Sequence, residues 1–363
     1  MIFDDVLTIK NGKNQKAVEN PKGKYPIFGS GGVMGYADDY ICSANTVVIG
    51  RKGSINNPIF VECPFWNVDT AFGLEAKTEV LIPRYLYYFC KHFNFEKLNK
   101  TVTIPSLTKS DLLRIEIDLP EISKQQSIVS QLSKIEDVVA LRQRQLQKLD
   151  ELIKARFIEL FGDPEQNTKE WQVRPLGELC LVGSSKRIYQ NEQSPEGIPF
   201  WRVSDLVSKM DTGKAEGDLF IPAEKYSELK QAGLVPIPGD ILVTSRGTLG
   251  RCYIIKAEDC FYFQDGMISW LSKYSDGITP IYLQYLFTMS GFRKQIDSMQ
   301  AGSTVAYLSI AMLKKLQIMI PSRDVQEQFA AFVEQTDKSK AAVKKAMDEA
   351  QLLFDSLMQK YFG

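Results

Sequence analysis

The chain is poor in the residues that most often carry catalysis and metal binding. It has a single histidine, His92, and six cysteines at 42, 63, 90, 180, 252 and 260, none of them spaced as a CxxC pair. No Cys/His cluster of the kind that holds zinc can be assembled from that set. Scattered cysteines read as reduced thiols of a cytoplasmic protein. No apolar run approaches the ~20 residues of a membrane span, and the opening MIFDDVLTIKNGK lacks a basic region followed by an apolar stretch. Net charge is also missing: 44 Lys and Arg stand against 44 Asp and Glu, so no broad basic surface is expected, although local basic patches remain open.

What is present is internal repetition. From Gln125 to Phe161, apolar residues recur in alternating steps of four and three: Ile128, Leu132, Ile135, Val139, Leu146, Leu149, Ile153 and Leu160. Arg142 and Arg156 occupy the two gaps, where they read as snorkelling or register-fixing side chains. A heptad seam calls for a partner helix. The partner lies in the same chain: at an offset of 201 the seam returns as Phe329, Val333, Thr336, Lys340, Val343, Met347, Ala350, Phe354, Leu357 and Tyr361. Identities at that offset include Thr103/Thr304, Leu107/Leu308, Leu112/Leu313, Gln125/Gln326 and Phe161/Phe362. The chain is a tandem duplication of a globular part followed by a long helix.

Short strands with few helices in each globular part indicate a mixed α/β fold. The whole is expected to be α/β (α+β): two similar units joined by two long antiparallel helices with pseudo-two-fold symmetry. The expected divisions are 1–121, a helix over 122–162, 163–322, and a second helix over 323–363. The first helix delivers the chain to the second unit, so the second helix must run back to zip against it. A helix from Gln125 to Phe161 would span roughly 55 Å.

The motifs with chemistry are basic turns. A buried strand, Thr46 to Gly50, leads into Arg51-Lys52-Gly53-Ser54, and the second unit repeats this with Arg246, Thr248 and Arg251. Cations beside small donors can grip phosphates or reach a guanine edge. An ordinary solvated turn is the plain alternative, which recurrence in both units disfavours. The same chemistry recurs around Lys13, and in Ser184 to Arg187 with Tyr189. The DNA-binding candidates are therefore Lys13, Arg51, Lys52, Ser54, Asn57, Lys186, Arg187, Arg202, Arg246, Thr248 and Arg251. Those for the helix seam and partner docking are Ile128, Leu132, Ile135, Val139, Leu146, Leu149, Phe329, Val333, Val343, Met347 and Phe354.

Apparent catalytic motifs fall away. Phe28-Gly-Ser-Gly-Gly32 lacks the spacing of a dinucleotide loop. Asn57-Pro-Ile-Phe60 departs from the methyltransferase tetrapeptide, and no cofactor domain accompanies it. Asp69 with Glu75-Ala-Lys77 imitates a metal nuclease, yet the second unit has Asp265 followed by Gly-Met-Ile. No catalytic residue, metal or cofactor is assigned.

Taken with the repeat, several stretches resemble the specificity (S) subunits of type I restriction-modification systems: YPIFGSGGVMGY, VVIGRKGSINNPIFVECPFWNVDTAFGL, GDILVTSRGTLGRCYII, LPEISKQQSIVSQL and IPSRDVQEQFAAFV. The resemblance covers essentially the whole length, although almost no segment precedes the first globular part. It implies that the globular parts are target recognition domains, each reading half of a split double-stranded DNA sequence. It implies that the helices set the spacing and dock two methyltransferase (M) subunits, with restriction (R) subunits joining through them. S-adenosylmethionine would then sit on the methyltransferase, and this chain would catalyse nothing. A stand-alone DNA methyltransferase or nuclease, and a coiled-coil adaptor with no DNA role, are the competing readings.

Overall fold

The computed structural model describes residues 1–99, 105–300 and 306–363. The Thr103/Thr304 pair and most of the loop expected at 101–107 lie outside these. The chain divides into two compact units, Met1–Gln145 with Ala342–Gly363, and Leu146–Ala341. Each unit thus holds one globular part and half of each long helix, Ile122–Phe161 and Arg323–Phe362.

The first unit is built on a four-stranded antiparallel sheet in the order Leu7–Asn11, Ala71–Ala76, Thr46–Gly50, Ile59–Val61. Thr46–Gly50 is buried along its whole length, as its run of β-branched residues requires of a central strand. A second, three-stranded sheet carries the hairpin Tyr25–Gly29/Gly32–Ala37, with Trp66–Asn67 parallel to its first strand. Helix Pro83–His92 starts on a proline, whose missing N–H costs nothing at that position, and buries Tyr85, Leu86, Tyr88 and Phe89.

The second unit repeats the plan. Its four-stranded sheet runs Cys252–Ile254, Ile241–Thr244, Ile268–Ser272, Leu181–Gly183. Ile198–Trp201 again lies parallel to a short strand, Tyr262–Phe263. The repeat extends to individual bonds. Arg51 N–H donates to Thr70 at 2.8 Å while Leu107 N–H donates to Arg51 at 2.9 Å. Ser245 makes the same two bonds, to Met267 at 2.9 Å and from Leu308 at 3.0 Å. Tyr85 Oη donates to Asp118 O and Tyr282 Oη to Met319 O, both at 3.1 Å.

A buried glutamine ties each globular part to the helix that follows it. Gln125 Nε2 donates to Val80 O and Pro120 O at 2.9 Å, and its Oε1 accepts from Ile82 N–H at 2.9 Å. Gln326 repeats this with Gly277 O, Pro321 O and Thr279 N–H, all at 2.9 Å. The sequence marks these positions as identical; their role as clamps emerges only in three dimensions.

The long helices are antiparallel, as expected. In the first unit, Ile128 and Leu132 share a core with Phe354 and Met358. In the second, Ile153, Phe157 and Phe161 share one with Phe329 and Val333. Early residues of one helix meet late residues of the other in both cases. The terminal phenylalanines swap repeats: Phe161 packs on Tyr282 at 4.7 Å, and Phe362 on Tyr85 at 5.1 Å. Lys340, a polar seam position, bonds Asp150 of the first helix at 2.7 Å.

Three sequence expectations are corrected. Phe157 and Met358, outside the heptad seam, are buried at 0% and 5% exposure, whereas Leu160 is only partly buried. A straight helix drifts off a strict heptad, so its buried stripe moves one position along as it meets a broad globular face. The strand expected over 115–119 is reduced to one bridge, Ile2 to Glu116; its counterpart Gln317–Ile320 pairs fully with Gln172–Pro175. The second unit also carries helices Val203–Thr212, Ala223–Gln231 and Ser290–Ser298, which the strand-rich reading did not include.

Candidate nucleic-acid interface

Two exposed cations occupy equivalent places in each unit. Lys52 and Arg246 both follow the central buried strand, whose register matches: Val47 lies opposite Leu74, and Ile241 opposite Leu271. Gly53 and Gly247, the next residues, turn the chain at φ +79° and +69°. Lys13 and Lys186 follow the edge strand, and their main chain is held by an aromatic side chain at matching positions. Trp66 Nε1 donates to Lys13 O at 3.0 Å, and Tyr262 Oη to Lys186 O at 3.2 Å. With their backbones fixed, the four side chains project outward and are exposed. None of the four forms an ion pair with a carboxylate of the described residues.

The other candidates divide. Arg51 is exposed with its guanidinium 5.7 Å from the Phe72 ring, and Ser54 and Asn57 are exposed in the same turn region. Arg246 lies 5.5 Å from the Tyr307 ring. Thr248 is exposed, but its carbonyl accepts from Thr244 Oγ1, so the turn is internally braced. Three arginines have their charge met within the unit. Arg187 bonds Asp265 at 2.8 Å, and Arg202 bonds Asp218 at 2.8 Å and Asp205 at 3.3 Å. Arg251 grips Asp211 through both terminal nitrogens, at 2.5 and 3.1 Å, and that hydrogen bonding holds the Asp211 carboxyl below its usual range. The sequence shows the cations but not these partners, some of them forty residues distant.

The polar residues that imitate a nuclease serve the sheet. Glu75 accepts from Ser43 N–H at 2.7 Å and faces Lys10 at 3.6 Å, while Lys77 donates to the carbonyls of Asp4 and Asp5 at 3.1 and 2.9 Å. Among the described residues no group of His, Cys, Asp and Glu is arranged to hold a metal, and no helix is long and apolar enough to cross a membrane. His92 is half-buried, 6.4 Å from Phe362.

Of the helix candidates, Ile128, Leu132, Phe329, Val333 and Phe354 are buried. Ile135, Val139, Leu146, Leu149, Val343 and Met347 are half-buried. Arg142 and Arg156 turn their terminal nitrogens to their own helix, Gln145 at 2.7 Å and Glu159 at 2.8 Å. In the first unit, Glu136 joins the helix to the globular part through Tyr88 at 2.6 Å and Lys91 at 2.8 Å.

Known proteins share this arrangement. The profile of the type I restriction modification DNA specificity domain matches residues 3–151 and again 168–351. The Haemophilus influenzae protein named type I restriction enzyme specificity subunit S.HindORF215P is 26% identical over 381 residues, covering 99% of this chain and 92% of its own. The type I restriction enzyme MjaVIII specificity subunit of Methanocaldococcus jannaschii is 22% identical, covering 84% of this chain and 74% of its own. In fold, the chain is similar to the crystal structure of a type I restriction-modification S subunit from M. genitalium. The TM-score is 0.63 at 20% identity, over 100% of this chain and 95% of that one. The matching profile falls once on each half of the internal repeat, and on that ground the chain belongs to the family of type I restriction-modification DNA specificity subunits.

Proposed function

We propose that each globular part reads one half of an interrupted double-stranded DNA sequence, and that the chain does so without catalysing a reaction. The observation that carries this reading is the pair of exposed cations at matching positions in both units: Lys13 with Lys52, and Lys186 with Arg246. A framework repeated down to its hydrogen bonds, bearing different surroundings, suits two readers of different sequences. The long helices, through their half-buried middle positions, dock two methyltransferase subunits, with restriction subunits joining the assembly. S-adenosylmethionine belongs to the methyltransferase chains.

The test is a graft. Residues 1–121 are replaced by those of a family member with a different target, the chain is assembled with its methyltransferase subunits, and the methylated sites are mapped. One half of the target is expected to change and the other to persist. A change in both halves together would defeat the two-reader reading.

A finer test uses alanine at Lys52 or Arg246. Where the side chain contacts a base, affinity of the assembled complex for its target is expected to weaken by about 1–3 kcal/mol. Where it contacts a phosphate, target and scrambled duplexes weaken alike and the salt dependence becomes shallower. Unchanged affinity for both duplexes at two salt concentrations, with assembly intact, would make these turns structural only.

A further inference from the structure

Glycines are held in a fold by one of two internal needs: a left-handed backbone, or a neighbour too close for a side chain. Among the described glycines, four meet neither need: at Gly35 and Gly277 an added Cβ would make only ordinary contacts, at 3.6 and 3.5 Å, and at the other two the space is open. Gly31 and Gly183 lack positive φ, and a Cβ added to either meets nothing within 4 Å. By contrast, a Cβ on Gly12 would fall 1.7 Å from Val68 O, and one on Gly50 would fall 2.2 Å from Ser54 O. Among the described residues nothing forbids a side chain at Gly31 or Gly183, and in a strand or hairpin a glycine is less favourable than other residues.

Both lie beside the paired cations, one in each unit. Gly31 is at the tip of the hairpin Tyr25–Gly29/Gly32–Ala37. That tip touches the strand leading to Arg51 and Lys52: a Cβ at Gly50 would sit 3.0 Å from Ser30 Cβ. On the same hairpin Val33 and Met34 are 55% and 63% exposed, an apolar ridge next to charge. Gly183 ends its strand opposite Trp270, three residues before Lys186. Ser184 then anchors the chain, donating to Ile268 O at 2.8 Å.

We infer that Gly31 and Gly183 are the points at which the backbone comes closest to DNA, their missing side chains leaving room for the duplex rather than for the protein. This deepens the reading proposed above and rests on it. The occupant is a nucleic-acid duplex because the adjoining Arg51, Lys52 and Lys186 are exposed cations that form no ion pair with a carboxylate of the described residues, which complements a polyanion. A two-stranded ribbon like the Gly31 hairpin also fits a major groove in width.

The experiment substitutes Gly31→Ala, Gly31→Leu, Gly183→Ala and Gly183→Leu, each assembled with the methyltransferase subunits. Thermal unfolding, assembly, and affinity for target and scrambled duplexes are measured. Stability and assembly are expected to equal those of the wild type. Affinity for the target is expected to fall in a graded way, severalfold for alanine and tenfold or more for leucine. Wild-type affinity in the leucine variants overturns the inference. So does unfolding, which would mean the space is needed internally, and so does failed assembly, which would place the methyltransferase there. If the wild-type complex itself does not distinguish target from scrambled DNA, the proposed function falls as well; if it does, only this inference is at stake.

Discussion

Alanine in place of Phe157 is expected to destabilise the second unit by about 3–5 kcal/mol, the cost of deleting a fully buried aromatic ring. Phe157 is 0% exposed. Its ring stacks on Tyr282 at 5.6 Å and 9°, and meets Phe161 at 4.7 Å and Phe329 at 5.5 Å. Those three neighbours come from the globular part and from both long helices, so the cavity opens where all three meet. Such a junction collapses poorly, because the helices are held along their length. Phe157→Leu retains most of the volume and is expected to cost about 1–1.5 kcal/mol. Urea unfolding followed by hydrogen exchange in each unit measures both. A loss below ~1 kcal/mol for the alanine variant would mean that this junction repacks freely.

The second large effect is expected from the buried glutamines. Both are 0% exposed, and each satisfies one N–H and two carbonyl groups at the root of a long helix. Gln326→Ala leaves the buried Thr279 N–H and Pro321 carbonyl without a partner, at ~1–3 kcal/mol each, while the Gly277 carbonyl, on an exposed residue, turns to water; a total of about 2–5 kcal/mol is expected. Gln326→Leu keeps the volume but not the bonds, so it separates packing from hydrogen bonding. If leucine restores full stability, the bonds contribute little and the clamp is steric. Gln125 should behave alike in the first unit, since its three bonds have the same lengths as those of Gln326.

How much of this was legible in the sequence follows from scale. The duplication and the antiparallel helices could be read because identities at one fixed offset run through the helical segments. The equivalence of Lys52 and Arg246 could be read because each precedes a glycine after a run of apolar residues. Phe157 does not stand out in the sequence because Arg156, beside it, lies on the ideal heptad. The buried stripe departs from that ideal only where the helix meets the globular part. Helices Val203–Thr212 and Ala223–Gln231 have no counterpart in the first repeat, where a hairpin stands instead. Comparison of the repeats was therefore silent on them. The acids that meet Arg187 and Arg251, and Asp218 beside Arg202, come together through tertiary folding, and spacing along the chain does not announce them; Asp205, three residues after Arg202, is a local partner. The open space at Gly31 and Gly183 is likewise a property of neighbours, invisible in a string of letters.

The first unit includes Ala342–Gly363, and its core counts Phe354 and Met358 among its buried residues. During synthesis this gives the protein an unusual order of events. The first globular part leaves the ribosome early, yet the helix that covers its remaining apolar surface emerges only after about 200 further residues, the whole of the second unit. Joining ends so far apart adds little entropy beyond that of a medium loop, since the cost grows only with the logarithm of length. Time is the greater burden: at roughly 5–20 residues per second, Ile128 and Leu132 wait 10 seconds or more for their partners. A nascent chain of this design therefore presents one unfinished face for the length of its own translation, and a ribosome that stalls in the last helix leaves a complete second unit tethered to an open first one.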